Sequence, residues 1–115
     1  MNETHQRLLN VLVSCRAISQ YTAGLDFAAY ERNDMTRDAV ERRLGIIGEA
    51  LSWAAVLEPR LGDRVSELRQ IVGLRNRVIH GYDAVDDEII WDVVQHKLPR
   101  LHARVAELLG EAKPG

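Results

Sequence analysis

Residues 36–59, TRDAVERRLGIIGEALSWAAVLEP, form a long amphipathic stretch near the middle of the chain. Apolar side chains recur there every three or four residues, a spacing that places them on one face of an α-helix. Thr36 is a candidate N-cap, and Pro59 comes near the end. The sequence therefore predicts one helix with a single buried stripe, made of Val40, Leu44, Ile47, Leu51, Ala54 and Ala55.

The same periodicity predicts four further helices. They cover residues 3–24, with Gly24 as the stop; 25–33, capped by Asp26; 63–81; and 86–110, within which Pro99 should kink or divide the helix. No stretch alternates with period 2 for long enough to predict a strand. The sequence thus predicts an all-α fold, an antiparallel bundle of four to five helices in one domain over 1–115, with 111–115 as a frayed tail.

Composition restricts the possible functions. Hydrophobic residues make up 46% of the 115 residues and aromatic ones only 5%, which excludes a disordered chain and predicts an aliphatic core. The formal net charge of −2 argues against a generally cationic nucleic-acid binder, so any RNA contact requires a local basic patch. Cys15 is the only cysteine and lies among apolar neighbours, which predicts a buried thiol. The N-terminus has no signal-peptide pattern and no apolar run reaches about 20 residues, so we expect a cytoplasmic protein.

The stretch LRNRVIHGYD, residues 74–83, places a charge inside an apolar stripe. On a helix, the side chain of Arg75 falls within roughly 60° of those of Leu68, Ile71, Val72, Val78 and Ile79. A buried and unpaired charge costs several kcal/mol, so Arg75 requires a carboxylate partner or a wet cleft. Glu49 is the candidate partner. Alternatively, Arg75 lies at the border of the stripe and extends its guanidinium into solvent.

His80 and Tyr82 follow Arg75 closely in the sequence. Arg75 and His80 are about 140° apart on an ideal helix, so they converge only if the helix ends near Gly81 or a second copy completes the site. His80 shares a polar edge with Asn76 and Arg77, and a histidine there is also typical of a helix C-cap. Tyr82 follows Gly81 directly, and it could simply be an amphipathic residue that packs beneath the loop after this helix.

The pattern Arg75-Asn76-x-x-x-His80-x-Tyr82 resembles the Arg-x4-His-x-Tyr motif of the HEPN superfamily, in its HepT-like branch. Residues 39–51, AVERRLGIIGEAL, are similar to the middle helix of that family. Residues 82–101, YDAVDDEIIWDVVQHKLPRL, are similar to the segment after its motif. The likeness extends over nearly the whole chain, in order and at matching spacing.

The resemblance implies a specific function. HepT-like proteins are homodimeric helical bundles that act as metal-independent ribonuclease toxins in type VII toxin–antitoxin systems, with both motifs facing a shared cleft. Their antitoxin, MntA, is a minimal nucleotidyltransferase that silences the toxin by adding AMP to the motif tyrosine. By this resemblance Arg75 and His80 are catalytic, Asn76 contacts the phosphate or orients His80, and Tyr82 is the modified residue; no cofactor is implied.

The chemistry of metal-free RNA cleavage agrees with these residue types. The 2′-OH attacks the phosphate, and an imidazole with a pKa near neutrality moves the protons, a role that suits His80. Arg75 can hold the phosphorane oxygens in a bidentate fork. In a dimer, Arg69, Arg75 and Arg77 from two subunits would form a basic patch despite the net charge. The dimer would also bring together side chains that diverge on one helix.

Other functional classes are possible. The same pocket could recognise a nucleotide or a nucleotidyltransferase subunit without cleavage, which would make the chain a non-catalytic binding module. A purely structural bundle would leave Arg75 and His80 unexplained. His96 and His102 are about 120° apart on their helix, which does not favour a shared metal site. The acidic run Asp83, Asp86, Asp87 and Glu88 is predicted to begin the last helix rather than to bind Mg²⁺.

Overall fold

The computed structural model of the chain describes residues 2–79 and 86–112. These residues contain no strand, and the prediction of an all-α fold is confirmed. The helices are α1 (Glu3–Thr22), α2 (Phe27–Arg32), α3 (Asp34–Leu57), α4 (Leu61–Arg64), α5 (Leu68–Ile79), α6 (Asp87–Asp92) and α7 (Leu98–Ala112), with a π-helical segment (Val93–Lys97) between α6 and α7. None of these helices combines the length and the apolar character needed to cross a bilayer.

Helix α3 is the central element of the bundle. It packs against α1 and against α5, while α1 also packs against α7 and α2 contacts α3 and α6. The guanidinium of Arg7, near the start of α1, lies 5.6 Å from the ring centre of Trp53, near the end of α3, so these two helices run antiparallel. The predicted stripe of α3 is largely correct: Val40, Leu44, Ile47, Leu51 and Ala54 are fully buried, while Ala55 is only half-buried.

Three predicted helix boundaries require correction. The N-cap of α3 is Asn33 rather than Thr36, because the Asn33 Oδ1 accepts a hydrogen bond of 3.0 Å from the Thr36 backbone N–H. Helix α5 begins at Leu68 rather than at Asp63, because Asp63 belongs to the one-turn helix α4 and the backbone then becomes extended at the fully buried Val65. Helix α7 continues to Ala112, so the predicted frayed tail begins too early, and its last three residues, 113–115, lie outside the described residues.

The sequence predicts that Pro99 kinks or divides the last helix, but the backbone stays helical at Val93 and Leu98, and only the hydrogen-bond register changes immediately before Pro99. The π-helical segment Val93–Lys97 ends there, with the Leu98 N–H bonded to the Val93 carbonyl, five residues earlier. Proline has no N–H, so the helical bond that residue 99 would donate to the Gln95 carbonyl cannot form. The change of hydrogen-bond register therefore occurs where one ordinary helical bond, from residue 99 to the Gln95 carbonyl, is missing.

The thiol of Cys15 is buried on α1, as predicted, and burial raises its pKa from 9.0 to about 12. A raised pKa means that the unfolded chain releases the proton more readily than the folded one. The contribution of the protonated Cys15 thiol to the free energy of unfolding is complete below pH 9 and is lost as the pH rises towards 12. We therefore expect the free energy of unfolding to fall by about 1 kcal/mol more between pH 8 and pH 10 in the wild type than in Cys15→Ala.

Urea unfolding followed by circular dichroism at the two pH values measures this difference. Tyr30 is fully buried, and burial raises its pKa as well. The interval from pH 8 to pH 10 lies below the range in which Tyr30 contributes most to the pH dependence of unfolding. Equal pH dependence in the wild type and in Cys15→Ala would show that the thiol ionises as freely in the folded protein as in the unfolded chain.

Candidate functional site

The stem of Arg75 fills the space where α5 crosses α3. The stem approaches Gly48 of α3 closely: an added Cβ there would overlap the Arg75 Cβ and lie 2.6 Å from its Cγ. Only a residue without a side chain permits this approach, because real Cβ atoms do not come within 3 Å of such neighbours. A glycine inside a helical pattern often has a packing reason, so Gly48 is itself the sequence signal for this contact.

Arg75 lies on the apolar side of α5, as the spacing predicts. Leu68 and Ile71 on this side are buried, Val72 is half-buried, and Arg75 itself is half-buried. Its Nη1 donates a hydrogen bond of 3.0 Å to the Asn76 Oδ1. Its Nε is buried and has no hydrogen-bond partner among the described residues. The structure thus buries the stem of Arg75 and orients one edge of its guanidinium through Asn76.

The predicted ion pair between Arg75 and Glu49 does not form. Glu49 is exposed on α3, and no ion pair joins it to Arg75 within the described parts of the chain. The reason is geometric: Gly48 faces α5, and the next residue along a helix points about 100° away. Arg75 is therefore positioned by packing and by Asn76 rather than by a carboxylate.

The remaining predicted site residues are only partly within the described structure. Arg69 and Asn76 are both exposed. They are seven residues apart, so they lie on one face of α5 about 20° from each other. The side chain of Arg77 and the residues His80 and Tyr82 lie outside the described residues, and so does the convergence of Arg75 with His80.

Helix α6, which follows the motif in the sequence, begins at a cluster of charged groups that the sequence did not predict. The carboxylate of Asp87 accepts a hydrogen bond of 3.1 Å from Arg37 of α3, which also pairs with Asp34 at 2.7 Å. Burial raises the pKa of the nearby Glu41 carboxyl, and the negative charge of Asp87 adds to this rise. The ion pair thus ties the first residue of α6 to the beginning of α3.

The acidic run before α6 has the capping role that was predicted for it. The Asp86 side chain accepts a hydrogen bond of 2.9 Å from the Glu88 backbone N–H, and Asp87 and Glu88 occupy the first turn. Asp83 lies outside the described residues. Among the residues that the structure does describe, no group of three or more His, Cys, Asp and Glu side chains is arranged to hold a metal ion.

The two tryptophans occupy different environments. Trp91 of α6 is half-buried, with its ring centre 5.0 Å from that of Tyr30 and 6.4 Å from that of Phe27. Trp53 of α3 is 48% exposed, and Arg7 lies over its ring. Trp91 is therefore a packing residue between α2 and α6, whereas Trp53 belongs to the surface of this single chain.

Comparisons with a family model and with known proteins both indicate similarity to ribonucleases. The sequence model of the family described as "Ribonuclease HepT-like" matches residues 11–108. A Methanocaldococcus jannaschii protein named "Putative RNase" is 30% identical, covering 85% of this chain and 89% of its own length. A second "Putative RNase", from Caldanaerobacter subterraneus, is 29% identical over 92% of this chain and 94% of its own. A "Probable ribonuclease HepT" from Thermococcus cleftensis is 28% identical over 94% and 98%. No solved structure matches the chain.

Proposed function

The chain belongs to the HepT-like ribonuclease family, and we propose that it is the toxin of a type VII toxin–antitoxin system, an endoribonuclease that cleaves RNA without a metal ion. The observation that carries this proposal is the placement of Arg75. A guanidinium with a packed stem and one edge oriented by Asn76 is a fixed cation, which is what a developing phosphorane charge requires.

The proposed reaction is an internal transfer at phosphorus. The 2′-oxygen forms a bond to the phosphorus as its proton passes to a neutral imidazole, and the bond from phosphorus to the 5′-oxygen breaks as that oxygen gains a proton. The products are a 2′,3′-cyclic phosphate and a 5′-OH. His80 moves the protons, Arg75 binds the non-bridging oxygens, and Asn76 orients Arg75. Arg69, exposed on the Asn76 face of α5, and Arg77 extend the contact with the RNA backbone.

The active form in this proposal is a homodimer in the cytoplasm. Two copies would place two sets of motif residues on one cleft, and this doubles the local positive charge of a chain whose net charge is −2. The partner is an MntA-like nucleotidyltransferase that transfers AMP to the Tyr82 hydroxyl. The added phosphate would offset the positive charge beside His80 and block RNA entry.

The decisive test of catalysis is cleavage of RNA by the purified protein in excess chelator. We expect the wild type to cut and His80→Ala to cut about 10²–10⁴-fold more slowly, because proton transfer by a positioned side chain contributes that much. His96→Ala is the matched control, since His96 is exposed on the π-helical segment and should leave the rate unchanged. Absence of cleavage by every form, over a range of RNAs, would instead favour the non-catalytic binding module.

The test of silencing uses the cognate nucleotidyltransferase and ATP. We expect Tyr82→Phe to retain its ribonuclease activity under conditions that silence the wild type, because phenylalanine has no hydroxyl to accept AMP. Tyr21→Phe is the control, because Tyr21 is an exposed tyrosine on α1 and its loss should not prevent silencing. Complete silencing of Tyr82→Phe would exclude modification of this tyrosine as the main mechanism. Mass spectrometry of the treated wild type would count the AMP units.

A further inference from the structure

A cavity of about 490 Å³ opens between α1 and the helix that contains the π-helical segment. Its volume lies in the range of about 300–1,000 Å³ that is typical of small-molecule sites. Neither Arg69, Arg75 nor Asn76 lines it, because they are on α5 while the walls come from α1, the π-helical segment and α7. The cavity is thus separate from the part of the candidate ribonuclease site that the structure describes.

The floor of the cavity is apolar and well packed. Five lining residues are no more than 7% exposed: Cys15, Ile18, Thr22, Val94 and Leu98. The Thr22 hydroxyl donates its hydrogen to the Ile18 carbonyl at 2.9 Å, so this donor is already satisfied. Because burial raises the pKa of the Cys15 thiol to about 12, the floor carries no thiolate near neutral pH. Such a floor favours an apolar group.

The described rim of the cavity carries positive charge. Among the described lining residues, Arg16, exposed on α1, is the one with a permanent charge, and none is a carboxylate. A guanidinium is always protonated near neutral pH and binds carboxylate or phosphate oxygens through paired hydrogen bonds. The rim is therefore complementary to an anionic group.

The wall formed by the π-helical segment and α7 has unused hydrogen-bonding capacity. Gln95 and Pro99 both line the cavity, and both are exposed. His102 also lines it, and its Nε2 is buried without a hydrogen-bond partner among the described residues. Buried polar atoms in proteins are nearly always satisfied, so the His102 Nε2 requires a partner. The polar wall faces the same space as the apolar floor.

We propose that this cavity binds a small organic anion with an apolar body, which lies on the apolar floor while its anionic group pairs with Arg16. Polar substituents of the ligand bond to Gln95 and His102 on the wall. An aromatic carboxylate and a mononucleotide share this chemistry. Binding to this cavity is measured without RNA cleavage, so the two proposals can fail separately.

The first experiment measures binding of 8-anilinonaphthalene-1-sulfonate, an anion with an apolar ring system, by its fluorescence. Ser19 is exposed and lines the cavity, whereas its neighbour Gln20 is exposed and does not. We expect Ser19→Trp to weaken binding by about tenfold or more by filling the cavity, and Gln20→Trp to change it by less than about twofold. Equal affinities of these two variants would overturn the proposal.

The second experiment tests the charge. Arg16→Gln should weaken binding of the sulfonate by about tenfold, but should leave the affinity for the neutral analogue N-phenyl-1-naphthylamine within about twofold. Arg42→Gln is the control, because Arg42 is an exposed arginine of α3 that does not line the cavity. An equal loss for the charged and the neutral probe would exclude pairing of the anion with Arg16.

Competition against the bound sulfonate then identifies which class of anion the cavity binds. Displacement of the sulfonate by AMP assigns the cavity to mononucleotides, and displacement by indole-3-acetate assigns it to aromatic carboxylates. Amide shifts of Ser19, Gln95 and His102 in ¹⁵N spectra of the wild type should accompany displacement. Displacement by neither compound would overturn the assignment to this ligand class.

Discussion

Arg75→Lys is expected to lower kcat/KM for RNA cleavage by about 10²–10³-fold while the protein stays folded. Lysine keeps the positive charge and a long stem, but it loses the planar fork that binds two phosphate oxygens at once. It also changes the hydrogen bond that Arg75 donates to Asn76 at 3.0 Å. Removing one donor that stabilises a transition-state charge costs about this factor in other enzymes.

The control for this substitution is Arg69→Lys. Arg69 is exposed on the same helix, so its replacement should weaken RNA binding slightly and alter the salt dependence without a large loss in rate. Thermal unfolding of each variant separates a loss of activity from a loss of structure. If folded Arg75→Lys cleaved RNA as fast as the wild type, bidentate binding of phosphate by Arg75 would be excluded.

Gly48→Ala is expected to destabilise the protein by up to about 2 kcal/mol and to lower cleavage as well. Alanine is the better helix former by about 1 kcal/mol, but its Cβ would overlap the Arg75 Cβ and lie 2.6 Å from its Cγ. Overpacking of this kind costs typically about 1–3 kcal/mol. These atoms belong to the base of the Arg75 side chain, so relief requires α5 to shift, which displaces the guanidinium.

Gly45→Ala is the matched control on the same helix. Nothing lies within 4 Å of a Cβ placed at Gly45, so this substitution should stabilise the protein by about 0.5–1 kcal/mol and leave cleavage unchanged. Urea midpoints and cleavage rates of the two variants measure the contrast. Equal stabilisation by both substitutions would show that α3 and α5 do not approach closely at Gly48.

The interpretation of Arg75 changed between sequence and structure. The spacing correctly placed it among the apolar residues of α5, because helical periodicity depends only on local geometry. The same reasoning offered Glu49 as a candidate partner, but Glu49 is exposed and no ion pair joins it to Arg75 within the described residues. A choice of partner depends on the rotation of α3 relative to α5, which a periodicity within one helix does not contain. Gly48 fixes that rotation by permitting close approach of the two helices.

The helix ends also separate what local sequence predicts from what depends on packing between helices. Asp26 and Asp86 were correctly predicted as N-caps, because an aspartate before an apolar repeat supplies a local acceptor. Thr36 was wrong, because Asn33, three residues earlier, provides an equally good acceptor and periodicity cannot distinguish them. The start of α5 was also wrong, because burial of Val65 on the bundle interrupts the helix there.

The sequence by itself determined the all-α class, most of the buried stripe of α3, and the motif residues that carry the family resemblance. These properties follow from local periodicity and from the order of residue types. Only the tertiary structure decided that Arg75 packs on Gly48, that Arg37 ties α3 to α6 through Asp87, and that α1 and the π-helical segment enclose a cavity. Each of these depends on side chains from different helices meeting at a particular rotation and distance, which no single helix specifies.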